Sequence, residues 1–174
     1  WSELQNSLSA VENIASIWEI TKDNRRVKIY SGCDGTAESF HKEVEKGCSV
    51  LHLATHGFFE TMKSKENIPA LKDANKPMDL TGLIMSNGNV GWMHGNSLNH
   101  EGVLTATDIA RMDLSNTKLA VLSACYTGAG VVKADGVFGL QRAFKKAGAD
   151  ALVMSLWGES DEVGAQFMRI FYSY

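Results

Sequence analysis

Cys125 and His56 are the two residues of this chain whose types and positions suit nucleophilic chemistry. Cys125 follows a short apolar run, Leu119 to Leu122, after which the chain turns small and then glycine-rich at Gly128 and Gly130. His56 follows a second such run, Val50 to Ala54, and Gly57 comes directly after it. An imidazole that takes the proton of a neighbouring thiol leaves a thiolate, which is the attacking species. Imidazole titrates near neutrality, so it can accept that proton and return it later. A lone cysteine is more commonly an inert small hydrophobe; the matching histidine at a second strand end argues for catalysis. The amides of Gly57 and Cys125 then stand as oxyanion donors, because preorganised N–H groups stabilise charge developing on a carbonyl oxygen.

The pair meets only if both apolar runs are parallel members of one sheet and release their residues at the same edge. In open α/β sheets that carboxyl edge is where ligands bind. The rest of the chain reads accordingly. Leu4, Leu8, Val11, Ile14, Ala15 and Trp18 recur at helical spacing, which predicts a helix over residues 3–18. Val27 to Tyr30 reads as a strand; Thr36 caps a helix to about Lys46, with Phe40 and Val44 inward and Gly47 as its stop. Residues 58–79 carry lysines, asparagines, Pro69 and Pro77, and read as a long exposed loop. Leu80 to Met85 resumes as a strand, and Asn87 to Gly102 as a loop or hairpin. Thr105 or Thr107 caps a short helix through Met112. Beyond Cys125 come a helix over 135–147 closed by Gly148, a strand over 151–156 and a helix over 162–172. Strands alternating with helices predict an α/β fold with a mostly parallel central sheet covered on both faces.

Other reactive side chains have plainer readings. His52 lies four residues before His56, and a metal site from His52, His56 and Cys125 is conceivable, but no fourth ligand presents itself. A core histidine bonded to backbone is the better account, so no metal is expected. Cys33, beside Gly32 and Asp34, reads as a bystander thiol, Cys48 as packing, and His94 and His100 as surface histidines.

Composition bounds the possibilities. The chain has 174 residues, a net charge of −3, 44% hydrophobic and 21% charged residues. That length fits one domain with one core. The absence of a basic block argues against nucleic acid as a partner, and no apolar run has the length of a membrane span. Three cysteines, at 33, 48 and 125, cannot all pair within one chain, which favours a reducing, cytoplasmic setting in which a nucleophilic thiol survives. The chain opens on Trp1 and ends within an apolar helical pattern at Tyr174, so it reads as a domain cut from a longer protein.

His-Leu-Ala-Thr-His-Gly at 52–57 and Leu-Ser-Ala-Cys-Tyr-Thr-Gly at 122–128 resemble the two motifs of the CHAT domain family, caspase-like cysteine peptidases often attached to tetratricopeptide repeats. Residues 79–85, 102–106, 136–144, 148–157 and 167–172 are similar to the family's internal landmarks. Tyr126 departs from the acidic residue common after the cysteine. The resemblance implies a caspase-like three-layer α/β/α sandwich over residues 1–174, a Cys125–His56 dyad that needs no metal or organic cofactor, a protein or peptide substrate, and a repeat-containing regulatory segment of the same or another chain. Ser123, two before the nucleophile, stands where the wider caspase-like group carries Gln or Asp, and as a neutral residue does not decide the charge of the substrate pocket. Asp135, Glu159 and Asp161 could supply negative charge there and favour Arg or Lys in the substrate. Asp135 and Asp161 also read as helix caps. A catalytically silent interaction module is the rival function. A cysteine hydrolase of small esters or amides fits poorly, for lack of a tight glycine-flanked elbow.

Overall fold

Within Leu119–Ser123, Val121 points to one side and Ala120 and Leu122 to the other, and all three are fully buried. A strand with two covered faces belongs inside a sheet with helices on both sides. The computed structural model describes residues 1–21, 26–95, 102–124, 130–133, 136–158 and 160–173. The helices and strands are α1 (Ser7–Thr21), α2 (Ala37–Glu45), β1 (Val50–Ala54), β2 (His56–Phe59), β3 (Thr81–Ile84), α3 (Gly88–His94), β4 (Val103–Thr105), α4 (Ala106–Ile109), β5 (Leu119–Ser123), β6 (Gly130–Lys133), β7 (Gly136–Gly139), α5 (Leu140–Ala147), β8 (Leu152–Met154) and α6 (Asp161–Ser173).

β5 lies between β1 and β8, parallel to both, with Ala54 opposite Ser123 and Leu122 opposite Met154. On one face Val121 joins Ile14 of α1 and Met168 of α6. On the other, Ala120 and Leu122 join Phe40 and Val44 of α2, Ile109 of α4 and Phe144 of α5. Burying a Leu or Val side chain fully is worth about 1.5–3 kcal/mol, so this two-sided core fixes the register of β1 against β5. The architecture is therefore mixed α/β, with a parallel three-stranded sheet and helices.

The strands outside that sheet run antiparallel. β3 pairs with β2 and β4, and β6 with β7. The predicted 80–85 strand is thus present as β3, but antiparallel and in a second sheet.

The caps predicted from sequence hold in two places. Thr36 Oγ1 accepts from the Ser39 amide at 3.0 Å and starts α2. Thr105, not Thr107, caps α4, through a capping box with Asp108.

Four expectations need correction. No strand forms over Val27–Tyr30; this segment is tied to α2 by side chains instead, with Lys28 Nζ 2.7 Å and the Tyr30 hydroxyl 2.9 Å from the Glu43 carboxylate. Hydrogen bonds from Lys28 and Lys46 pull the Glu43 carboxyl down to about 2. Residues 58–79 are no exposed loop: β2 runs to Phe59, short 3₁₀ turns follow, two of them beginning at Pro69 and Pro77, and Phe58, Ala70, Leu71 and Leu80 form a second buried cluster with Ile84 and Val103. Proline suits such starts because its fixed φ is preorganised and its missing N–H is not needed there. Asn87–Gly102, expected as a loop or hairpin, contains α3. The helix expected from residue 135 begins only at Leu140, since Gly136–Gly139 pairs with β6 as a hairpin. Its N-cap position is Gly139, so Asp135 is not its cap.

Candidate active site

The parallel sheet hands over to the antiparallel one at Thr55. β1 ends at Ala54, opposite Ser123, the last residue of β5. The Thr55 amide donates to the Ser123 carbonyl at 3.3 Å, and its hydroxyl donates to the Ile84 carbonyl of β3. The chain bends there, and His56 opens β2 opposite Ile84. In sequence, His56 is two residues past Ala54 and Cys125 two residues past Ser123, the two partners of that rung. Cys125 lies outside the described residues, as do Asp135 and Glu159. Gly57, buried, pairs with Leu83, and Ser123 is partly exposed at the end of its strand.

His56 meets the start of the chain. Its Nε2 donates to the Ser2 carbonyl oxygen at 2.7 Å, which fixes the ring proton on that nitrogen. The Trp1 indole lies over the imidazole, with ring centroids 5.2 Å apart and planes at 32°. Trp1 also meets Trp92 edge-on at 5.7 Å, and Trp92 meets Phe58 at 5.0 Å. Asn89 holds the Trp1 backbone, its Nδ2 donating to the Trp1 carbonyl at 2.9 Å. Sequence reasoning missed Trp1, Ser2, Asn89 and Trp92. They are far from His56 in sequence, and no motif joins them.

Asp161 makes a contact that its sequence context does not announce. Its two carboxylate oxygens accept from the Asn6 amide at 2.6 Å and the Ser7 hydroxyl at 2.7 Å, so it anchors the start of α1. Nor is it the cap of α6, because the Ser160 hydroxyl takes that position by accepting from the Val163 amide at 3.3 Å.

The His52 ring bonds to a side chain of α6 where a backbone partner is expected from the sequence. Its Nδ1 lies 3.1 Å from the Tyr172 hydroxyl of α6, and burial pushes the imidazole down to about 4 and the phenol up to about 12. The neutral ring and the phenol share one hydrogen bond. His52 therefore points to α6 while His56, beyond the Thr55 bend, points to the start of the chain. Among the described residues no cluster of His, Cys, Asp and Glu could hold a metal ion. Cys48 donates its thiol to the Val50 carbonyl at 3.2 Å, and burial raises its pKa; Cys33 is exposed.

The family model described as CHAT domain matches residues 1–174, the whole chain. The chain belongs to the CHAT domain family. CHAT domains are related to caspase-like cysteine peptidases. This CHAT domain is also similar to tetratricopeptide repeat protein 28 of Mus musculus, 41% identical over 73 residues, and to that of Homo sapiens, 40% identical over 73 residues. In both cases the match covers 42% of this chain and 3% of the relative's length. No solved structure matches. Among the described residues of the CHAT domain, no helix is long and apolar enough to cross a membrane.

Proposed function

We propose that this CHAT domain is a caspase-like cysteine endopeptidase, built as a three-layer α/β/α sandwich, that cleaves a protein substrate with a dyad of Cys125 and His56. The observation that carries the reading is the Ala54–Ser123 rung that ends the parallel pair, each member of the dyad being two residues beyond it in sequence. Neighbouring strands are about 4.8 Å apart, a spacing that suits proton exchange between side chains at one sheet edge. His56 takes the thiol proton, and the Cys125 sulfur forms a bond to the scissile carbonyl carbon. The amides of Gly57 and Cys125 hold the oxyanion. As the C–N bond breaks, the proton passes from His56 to the leaving amine, and water then hydrolyses the thioester.

Ser123 and the acidic residues Asp135 and Glu159 are the proposed lining for the substrate residue before the cut. Asp161 contributes less, because α1 already occupies its carboxylate. The reaction needs no metal or organic cofactor. The similarity to proteins named for tetratricopeptide repeats supports a repeat-containing regulatory segment as partner, and the chemistry of a free thiolate supports a reducing, cytoplasmic setting.

The test is a peptide-library cleavage profile with the full chain. Cys125→Ala abolishes cleavage while leaving the melting temperature unchanged. Cleavage at the normal rate by that variant sinks the reading.

A catalytically silent interaction module is the second reading, favoured by the engagement of the His56 ring by Ser2 and Trp1. Alkylation by iodoacetamide near neutral pH separates the two: an active domain modifies Cys125 ahead of Cys33 and Cys48, and a silent one shows no such preference.

A further inference from the structure

Trp1 and Ser2 lie against His56 the way a bound extended peptide would. Asn89 Nδ2 donates to the carbonyl of Trp1, and His56 Nε2 donates to the next carbonyl along, that of Ser2. Successive main-chain carbonyls taken by fixed donors, with a side chain in an aromatic niche, is how bound peptides are recognised. The niche is specific in chemistry. Trp92 offers its ring to the indole edge-on, His56 offers its face, and Phe58 backs Trp92 from the buried second cluster. Such ring pairs favour an aromatic occupant beyond what its area alone would give.

The hold is nevertheless a loose one. Trp1 remains 45% exposed, and Ser2 is exposed as well. Two hydrogen bonds to main-chain carbonyls and two ring contacts keep the segment in place, with little burial behind them. Beside it, along β1, runs a groove of about 1160 Å³ whose lining includes Ser2, His56, Ser86 and Asn89. A segment seated at the wall of an open groove, and held by contacts that any aromatic residue in an extended chain could reproduce, is displaceable by a second peptide.

We infer that Asn89, Trp92 and His56 form a subsite for an aromatic residue of an extended peptide, and that Trp1–Ser2 occupies it in cis and blocks it. This rests on His56 serving as the base of the proposed dyad. The occupied ring face and Nε2 are then closed to substrate until the segment leaves. An arriving peptide with an aromatic residue gains the contacts that Trp1 gives up, so such substrates relieve the block and neutral small-residue peptides do not. The subsite thus sets both a preference and a threshold.

The test uses the full chain carrying Cys125→Ala, so that nothing is turned over, and as probe the acetylated, amidated peptide Trp-Ser-Glu-Leu. Binding is read by calorimetry and by the NMR signals of the His56 ring. Trp1→Ala binds the probe at least tenfold more tightly than the chain with Trp1 intact, and shifts the His56 signals on binding. Adding Asn89→Ala loses at least tenfold of that gain, and an Ala-Ser-Glu-Leu probe does not bind. Equal affinity with and without Trp1, or no binding to either, overturns the inference. With Cys125 intact, Trp1→Ala raises kcat/KM at least fivefold on an aromatic-containing substrate. A fall instead overturns the block, because Ser2 would then be orienting the imidazole and not obstructing it. Failure of the dyad shows separately, as cleavage that survives Cys125→Ala, and leaves the binding result unaltered.

Discussion

Thr55 donates its amide to the Ser123 carbonyl at 3.3 Å, and this bond joins the end of the β1 strand to the end of β5 one residue before His56. Its hydroxyl reaches across to Ile84 in the other sheet. One side chain therefore sets where the imidazole begins relative to both sheets. Thr55→Val keeps shape and volume and removes only the hydroxyl bond, which is worth about 1 kcal/mol of stability. The expected loss of kcat/KM is larger, at least about tenfold, since small misplacements of a catalytic group cost rate steeply. Melting curves and steady-state kinetics on the same variant check this. A rate loss no greater than the stability loss would remove Thr55 from the positioning role.

The His52–Tyr172 contact makes stability depend on pH. Burial holds the folded imidazole at about 4, below its ordinary value of 6.5. Between those two values the unfolded chain binds the proton and the folded one does not. Stability is thus fully present above about pH 6.5 and declines as pH falls toward 4. The gap corresponds to roughly 3 kcal/mol at its lower end. His52→Gln keeps an acceptor for Tyr172 and flattens the profile over that window. Urea midpoints measured from pH 4 to 8 decide it; parallel profiles for the two proteins would show that other groups carry the dependence.

Asp161 ties the first turn of α1 to the first turn of α6 through Asn6 and Ser7. Asp161→Ala is expected to lower stability by about 1 kcal/mol, the ordinary cost of losing a carboxylate that caps free amides. If its role is confined to that anchor, the preference for the residue before the cut stays as in the wild type. A shift of that preference away from Arg or Lys, read from a peptide-library profile, would return Asp161 to the substrate pocket.

The parts that were legible from sequence are those decided by local pattern. The helical spacing of Ile14 and Trp18, the Thr36 and Thr105 caps, and the apolar runs of β1, β5 and β8 each carry their own signal over a few residues. What escaped was decided by partners far along the chain. Val27–Tyr30 has the residues of a strand, yet Lys28 and Tyr30 find Glu43 in place of a backbone partner. Gly136–Gly139 reads as the start of a helix until β6 supplies a hairpin partner. The lysines and prolines of 58–79 hid Phe58, Ala70 and Leu71, whose burial depends on β3 and β4. At the site, His56 is proposed from its strand end and glycine. Its neighbours Trp1, Ser2 and Asn89 come from segments that only the tertiary fold brings near it.

Gly82 is a tight point behind the candidate site. It sits opposite Phe58 in the β2–β3 pair, and a Cβ placed there would lie 2.2 Å from the Leu104 carbonyl oxygen and 2.7 Å from the Phe58 ring. The carbonyl belongs to the β3–β4 ladder and has no room to yield, so the strain falls on Phe58 and on the register of both pairs. Gly82→Ala is expected to destabilise the domain by about 1–3 kcal/mol, the usual cost of overpacking. Because Phe58 backs Trp92, and Trp92 meets Trp1 over His56, the disturbance should also reach the imidazole. The His56 ring signals in an NMR spectrum therefore shift at temperatures where the variant is still folded. An unchanged urea midpoint together with unchanged His56 signals would mean that the second sheet absorbs the methyl group, and that β2 does not transmit packing to the site.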